Sequence, residues 1–350
     1  MGYNPRHLRP ESKGMNRHQQ SKLFLGLLAG VATSLVTIWL QRGRAVRAGL
    51  ADRIGESTQQ NLRQLGVAAE SRFIIVNGLR LHVVEAGPID GPLVVLLHGF
   101  PENWYLWRRQ IAPLAQAGYR VIVPDQRGYN LSDKPAGIHN YRLEALVADI
   151  RELIQAYGRE RASVVGHDWG GGVAWQLAME HPEIVEKLII LNAPHPAAFR
   201  RELRENPAQQ QKSWYVAAFQ VPWLPEILLG QSPLSTVNLF FRRGAVNQGA
   251  YSSYDLHSLA ISLSQPGALT AMLNWYRAAV RRPPAITTPI ETPTLLIWSE
   301  DDVALGRSLT YGLDQWVKNL RIHYLSHCGH QTPCEAPAEV NAQLLEFMAK

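Results

Sequence analysis

Six short apolar runs alternate with stretches of helical periodicity, and this alternation constrains the fold of the chain more than any other feature. Each run is nearly continuous, as in strands that are covered on both faces by helices. The intervening segments, such as 142–157 and 171–181, repeat apolar residues at helical spacing. The pattern predicts an α/β fold, with a mostly parallel sheet and helices on both faces. The six runs are LVVLLHG (93–99), YRVIVPD (119–125), ASVVGHD (162–168), KLIILNAP (187–194), TPTLLIWSEDD (292–302) and LRIHYLS (320–326).

The alternation is interrupted at two places. FIIVNG (73–78) and LRLHVVEAG (79–87) predict an antiparallel pair of strands with a turn at Asn77-Gly78. Residues 196–290 are mostly helical and much longer than a single crossover requires. We expect them to form an inserted helical lid over a site at the strand ends, and assign the core to residues 72–195 and 291–350.

The positive charge of the chain is confined to its N-terminal arm. The formal net charge is +6, but ten Lys or Arg and three acidic residues lie at or before Arg63, so the rest of the chain carries about −1. A near-neutral body lacks the basic surface that nucleic-acid binding requires, which excludes that class of partner. The two cysteines, Cys328 and Cys334, are too few for a disulfide framework or a zinc site.

Residues 23–40, LFLGLLAGVATSLVTIWL, are free of charge and have basic residues on both sides. At about 1.5 Å per residue, a helix of this length just spans a hydrocarbon core of about 30 Å. We therefore expect a single-pass membrane anchor at 23–40, a basic tail at 1–22 and a juxtamembrane linker at 41–71, with membrane lipid as a partner. A cleaved signal peptide and a buried core helix are the alternatives. Since both flanks are basic, the side of the membrane stays open.

The sequence GHDWG (166–170) lies between a predicted strand and a predicted helix. This is the spacing of a nucleophile elbow, where small flanking residues permit a sharp turn that raises the central side chain above the sheet. The central residue is Asp168, and a carboxylate can attack a saturated carbon to leave an ester, whereas serine suits acyl transfer. Asp168 is therefore the predicted nucleophile; the alternative is an aspartate that only caps the helix.

Three further segments follow strands in positions that complete such a site. His98-Gly99-Phe100 follows the strand 93–97, so the backbone N–H groups of Phe100 and Trp169 are predicted to form an oxyanion hole. Asp302 is the predicted acid, with Asp301 and Glu300 as alternatives. His330 is the predicted base, with His327 as the alternative.

At these residues the chain resembles the α/β-hydrolase family of epoxide hydrolases, over roughly residues 72–350. The order nucleophile, acid, histidine is that of the family. GHDWG is shared with haloalkane dehalogenases, but those usually have Asn where this chain has Phe100. Ser299 is a departure, since Gly is common there. The motifs that carry the resemblance are HGFPE (98–102), DQRGYNLSDKP (125–135), GHDWGG (166–171), SQPGAL (264–269), NWYR (274–277) and SEDD (299–302).

The resemblance implies an α/β-hydrolase fold, conversion of an epoxide to a vicinal diol, and a pair of lid tyrosines that map to Tyr215 and Tyr276. Members with a similar N-terminal anchor exist. A neutral hydroxyl with a pKa of about 10 can donate a hydrogen bond, and then its proton, to the oxygen of an opening epoxide. The alternative is that both rings only pack, as we assume for Tyr105, Tyr129 and Tyr251.

The predicted mechanism has two steps and requires no metal or organic cofactor. Asp168 forms a hydroxyalkyl ester, which is hydrolysed by water that His330 and Asp302 activate. A hydrophobic epoxide is the expected substrate, in a pocket formed by Trp104, Phe219, Trp223 and Trp275. The alternatives are a haloalkane dehalogenase, which would release halide, and a catalytically silent ligand-binding protein of the same fold.

Overall fold

The computed structural model describes Thr33, residues 36–286 and residues 288–349. The chain divides into two compact units, residues 1–45 and 46–350. In the first unit the described residues, Thr33 and 36–45, are helical. Within the described part of the chain, no helix combines the length and the apolar character needed to cross a membrane. The predicted anchor at 23–40 lies outside the described residues except for Thr33 and 36–40.

An eight-stranded, mostly parallel sheet forms the centre of the second unit, as predicted. Its spatial order is β1-β2-β4-β3-β5-β6-β7-β8. β1 and β2 are antiparallel, as are β2 and β4, and the other neighbours are parallel. The turn between β1 and β2 is Asn77-Gly78, with both residues at positive φ. The strands are β1 (Ala69–Val76), β2 (Leu79–Ala86), β3 (Leu93–Leu97), β4 (Arg120–Pro124), β5 (Ala162–His167), β6 (Val185–Leu191), β7 (Thr294–Ser299) and β8 (Leu320–Leu325).

Helices cover the central strands on both faces. β3, β5 and β7 are buried along their whole length, which a sheet exposed on one side would not allow. The fold is therefore the predicted α/β arrangement. From Ile54 onward, the described helices outside the lid are α1 (Ile54–Arg63), α2 (Ile111–Gln116), α3 (Leu143–Ala156), α4 (Trp169–Glu180), α12 (Thr332–Glu335) and α13 (Pro337–Ala349).

The segment between β6 and β7 is a lid of short helices. Short 3₁₀ or π turns occur there, as at Asn238–Arg243, and in the core, as at Trp104–Arg109. The lid helices are α5 (Pro196–Glu205), α6 (Pro207–Lys212), α7 (Trp214–Ala218), α8 (Leu224–Gly230), α9 (Pro233–Val237), α10 (Ser253–Leu263) and α11 (Ala268–Arg281).

The structure differs from the predicted linker at 41–71. Residues from Val46 onward belong to the compact second unit, and β1 already begins at Ala69. α1 packs on α10, where Asn61 donates from Nδ2 to Ser258 Oγ at 2.7 Å and accepts from the Tyr254 hydroxyl at 2.7 Å. The contacts are largely polar, so the apolar pattern of the sequence did not indicate that this segment is packed.

Candidate active site

Asp168 lies in the sharp turn between β5 and α4. Its backbone has φ +49° and ψ −121°, a conformation that L-residues rarely adopt. The turn needs glycine nearby, because a Cβ at Gly166 would lie 2.4 Å from the carbonyl oxygen of Gly170. A Cβ at Gly99 would likewise lie 2.4 Å from the Cβ of Asp168. The glycines of both motifs therefore make room for the carboxylate at the end of the sheet.

The two carboxylate oxygens of Asp168 have different surroundings. Oδ1 accepts a hydrogen bond from the Phe100 backbone N–H at 2.8 Å, and Oδ2 lies 3.5 Å from His330 Nε2. The Trp169 N–H opens α4 beside it, where the helix dipole favours negative charge. Burial by itself raises the pKa of Asp168, but His330, His167 and the Phe100 N–H together lower it below the ordinary value. Asp168 is therefore an ionised nucleophile at neutral pH.

His330 is held by Asp302 on the side away from Asp168. The Nδ1–H of His330 donates to Asp302 Oδ2 at 2.6 Å, and the Asp302 side chain is fully buried. Asn192 Nδ2 donates to the same oxygen at 2.7 Å. The loop N–H groups of Ala304 and Leu305 donate to Oδ1 at 2.7 and 2.9 Å. Asp302 is thus fixed as an acceptor, which sets the tautomer and orientation of the imidazole.

The charges of this triad oppose the effect of burial. Burial lowers the pKa of His330, but the charge of Asp302 and the contacts with Asp168 raise it well above its ordinary value. For Asp302, burial raises the pKa, while His330 and the Asn192 hydrogen bond lower it more. Removing the charge of Asp168 would therefore bring the pKa of His330 down.

The alternative acid and base residues lie on the surface. Asp301 is exposed, and Glu300 pairs with Arg307 and accepts from Ser326 Oγ at 3.0 Å. His327 is also exposed. The structure therefore brings only Asp302 and His330, of the residues considered, to Asp168.

A cavity of about 620 Å³ lies between the sheet and the lid. Asp168, Trp169, Tyr215 and Tyr276 all line it, with Tyr215 on α7 and Tyr276 on α11. The ring centroids of the two tyrosines are 6.0 Å apart. Burial and the charge of Asp168 raise the pKa of both phenols, so each keeps its proton at neutral pH. The other lining residues are mostly apolar: Leu143, Gly172, Ala193, Pro194, Pro196, Phe199, Arg200, Leu203, Arg204, Val216, Ala279, Val280, Pro283, Pro284 and Leu305.

The four aromatic residues predicted to form the pocket do not line this cavity. Trp104 and Trp275 are buried at 1% exposure, and the Trp275 indole donates to the Arg127 carbonyl at 3.1 Å. Phe219 packs behind Tyr276 with ring centroids 5.0 Å apart. Trp223 points to solvent and is 77% exposed. The prediction was wrong here because aromatic content does not reveal which way a side chain points.

Sequence reasoning also missed residues that support the site. Asn192 directly follows β6, and side chains that follow the ends of parallel strands meet at one edge of a sheet, so its position could have indicated it. Glu102 Oε2 lies 3.1 Å from His167 Nδ1, and His167 Nε2–H donates to the His330 carbonyl at 2.9 Å. No sequence signal identified that contact. Among the described residues, no group of three His, Cys, Asp or Glu side chains is placed to hold a metal ion.

Comparison with known proteins places the chain in a family. Residues 92–337 match the family described as alpha/beta hydrolase fold. AB hydrolase superfamily protein YfhM of Bacillus subtilis (strain 168) is 46% identical over 279 residues, which cover 79% of this chain and 97% of that protein. Epoxide hydrolase 4 of Homo sapiens is 37% identical over 277 residues, covering 78% of this chain and 76% of that protein. The crystal structure of Bacillus megaterium epoxide hydrolase in complex with an inhibitor has a TM-score of 0.75 and 33% identity, covering 80% of this chain and 100% of that one. The chain therefore belongs to the α/β-hydrolase family and, within it, to the epoxide hydrolases.

Proposed function

We propose that the chain converts a hydrophobic epoxide to a vicinal diol through a covalent hydroxyalkyl ester on Asp168. The observation that carries this proposal is a carboxylate, rather than a hydroxyl, at the elbow, in one cavity with two protonated tyrosines. A carboxylate attacks an epoxide carbon without a base, and the phenols supply the proton that the leaving oxygen needs.

In the first step, Asp168 Oδ2 bonds to an epoxide carbon and the carbon–oxygen bond of the ring breaks. Oδ1 stays on the Phe100 N–H and becomes the carbonyl oxygen of the ester. Tyr215 and Tyr276 hydrogen-bond the ring oxygen, and one of them transfers its proton to the alkoxide. Two donors held in a cavity beneath the lid stabilise the developing charge better than water does.

In the second step, His330 removes a proton from water, and the resulting hydroxide attacks the carbonyl carbon of the ester. Esterification neutralises the charge of Asp168. One cause of the raised pKa of His330 is thereby removed, so the imidazole is free to act as a base. The N–H groups of Phe100 and Trp169 hold the oxyanion. The bond between the carboxyl carbon of Asp168 and Oδ2 then breaks, so the diol leaves with the old carboxylate oxygen. Of the two protons of the attacking water, one goes to that leaving oxygen and the other returns, through His330, to the tyrosine that gave up its proton in the first step.

The cavity supports a hydrophobic substrate. Its volume of about 620 Å³ falls in the range of sites that enclose small organic ligands. The apolar part of the cavity wall includes Phe199, Leu203, Val216 and Val280. The polar atoms needed for the chemistry lie at the end of the cavity that contains Asp168. Aliphatic and aryl epoxides should therefore be better substrates than small polar ones.

His330→Gln tests the covalent mechanism. The glutamine keeps a polar side chain but cannot act as the base, so we expect the ester to form and persist. Intact mass spectrometry after mixing with epoxide should show an adduct equal to the mass of the substrate, and peptide mapping should place it on Asp168. Unmodified His330→Gln protein, with wild type active, would count against the mechanism. Halide release without diol formation from a panel of haloalkanes and epoxides would select a dehalogenase instead.

We also propose that residues 23–40 anchor the chain in a membrane. The proposal is supported by eighteen residues without a charge and by the basic residues on both sides. An anchored catalytic unit would meet apolar epoxides where they partition, at the lipid surface. The test compares the full chain with two N-terminal truncations, one beginning at Val46 and one at Leu65.

A further inference from the structure

The carboxylate of Glu335 holds the loop that carries His330. Glu335 lies at the end of α12 and is 7% exposed. The backbone N–H of Gly329 donates to its Oε2 at 3.0 Å, and the N–H of Gln331 donates to its Oε1 at 3.1 Å. These two N–H groups are the ones directly before and after His330, so a single carboxylate fixes the backbone on both sides of the base.

The same carboxylate holds the lid. The backbone N–H groups of Val246 and Asn247 donate to Glu335 Oε2 at 2.8 and 3.0 Å. The Asn247 side-chain amide also donates to the Glu335 carbonyl at 3.2 Å. A lid segment and the loop of the base therefore share one buried acceptor, and a displacement of either changes the hydrogen bonding of the other.

This arrangement requires a side chain that accepts at both of its outer positions. All four groups that donate to Glu335 Oε1 and Oε2 are backbone N–H groups, so an amide in place of the carboxylate would set a donor against a donor. Hydrogen bonds to an ionised acceptor are about twice as strong as neutral ones. The site is also tight, because a Cβ at Gly329 would lie 2.7 Å from Glu335 Oε1.

We propose that Glu335 is a positioning residue for the ester-hydrolysis step, which places His330 over the Asp168 ester and links that placement to the lid. This inference rests on the proposed function. Glu335 acts through the backbone of residues 329–331, whereas the orientation of the imidazole about its own bonds is set by Asp302.

The inference predicts an effect on one step only. Asp168 is held by the elbow and the Phe100 N–H, and the two tyrosines are on α7 and α11; none of these groups is a hydrogen-bond partner of Glu335. Ring opening should therefore proceed in a Glu335 variant. Ester hydrolysis should slow, because a small displacement of a base from its water costs up to about a hundredfold in rate.

The experiment is single-turnover kinetics of Glu335→Gln, with enzyme in excess over epoxide. Samples are quenched in acid at intervals, and intact mass gives the fraction of enzyme present as adduct. We expect the adduct to accumulate. The ratio of the hydrolysis rate to the alkylation rate should be lower than in wild type by about tenfold or more, and the alkylation rate itself should stay within about threefold of wild type. Glu339→Gln is the matched control: it makes the same change on the neighbouring helix, where Glu339 forms a surface pair with His323.

The ratio of the two rates separates positioning from a general loss of structure. Unfolded molecules form no adduct, so they lower its amplitude without changing the ratio. If Glu335→Gln yields no folded protein, Gly329→Ala, whose methyl group displaces the Glu335 carboxylate, is tested in the same way. A ratio equal to that of wild type in the variant tested would overturn the inference. Absence of adduct in His330→Gln would instead overturn the proposed function.

Discussion

Asp168 combines backbone strain with a charge that is well stabilised. A residue other than glycine at φ +49° and ψ −121° costs about 1–3 kcal/mol, so the surrounding structure must impose this conformation. The strain raises the carboxylate above the strand end, where the Phe100 N–H and His330 stabilise its negative charge. The nucleophile is thus oriented before the substrate arrives, so none of the substrate's binding energy is needed to orient it.

The two steps should respond differently to acid. Ring opening needs ionised Asp168, whose pKa is lowered, so it persists as the pH falls. Ester hydrolysis needs neutral His330, and its rate should fall by about tenfold per pH unit below the pKa that His330 has in the ester. Mild acidification should therefore increase the fraction of wild-type enzyme present as adduct at steady state, measured by acid quench and intact mass. A fraction that decreases with acidification would contradict these assignments.

Tyr276→Phe should slow ring opening more than ester hydrolysis. The change removes one of two proton donors, and general acids contribute about a hundredfold or more, part of which Tyr215 can still supply. Single-turnover alkylation rates measure the effect. Tyr129→Phe is the control: Tyr129 is fully buried, and its hydroxyl has no hydrogen-bond partner among the described residues. Slower ester hydrolysis with unchanged ring opening in Tyr276→Phe would assign Tyr276 a different role.

At the scale of elements, the β5–α4 turn depends on the close approach of the two chain segments. A methyl group at Gly166 would meet the Gly170 carbonyl oxygen at 2.4 Å, whereas one at Gly172, in α4, meets its nearest atom at 3.8 Å. Gly166→Ala should lower the free energy of unfolding by about 1–3 kcal/mol or more through overpacking. Gly172→Ala should be neutral or raise it by up to about 1 kcal/mol, since alanine favours helix.

Thermal and denaturant unfolding of the two glycine variants make the comparison. Because each variant adds one methyl group to the same strand-turn-helix unit, the difference between them isolates the close approach at the elbow. Equal stability of Gly166→Ala and Gly172→Ala would show that the turn relaxes without cost, and that the elbow is less constrained than its geometry indicates.

Local patterns predicted the elements, but not the walls of the cavity. The apolar runs and the turn at Asn77-Gly78 depend on neighbours in sequence, and both were confirmed in the sheet. Side-chain direction in a lid depends on distant packing, so Trp223 and Trp275 were assigned to a cavity that neither lines. The role of Glu335 depends on contact with a lid segment about 90 residues earlier in the chain, and no motif indicated that contact.

The segment after residue 45 was misjudged for a related reason. α1 joins α10 through buried polar groups such as Asn61 and Ser258, which a search for apolar periodicity ignores. Leu62 and Leu65 add apolar contacts to the core of the second unit. Stable packing of a polar helix can be seen only when both partners are known.

At the scale of the whole molecule, the two compact units predict where the chain can be shortened. Removing residues 1–45 should leave a folded, active enzyme, because the second unit begins at Val46. Removing residues 1–64 also deletes α1 and leaves the buried Ser258 without its Asn61 partner, at a cost of about 1–3 kcal/mol, with further loss from Leu62. Thermal unfolding and diol formation compare the two truncations.

The same truncations test the membrane proposal. The full chain should sediment with membranes and resist extraction at high pH, and the 46–350 chain should not. The 65–350 chain tests the packing of α1. It should be less stable than the 46–350 chain, whether it is found with the membranes or in the supernatant. A full chain that stays in the supernatant would contradict the anchor, and equal stability of both truncations would contradict the role assigned to α1.

The central claim is that Asp168 becomes covalently bonded to the substrate, and a single turnover in heavy-oxygen water tests it most directly. Water attacks the carbonyl carbon of the ester, so the new oxygen should remain in the carboxylate of Asp168. With enzyme in excess over epoxide, the peptide that contains Asp168 should gain the label, and the first diol should contain none. A labelled diol with an unlabelled Asp168 peptide would mean that water attacks the epoxide itself, and would contradict the account.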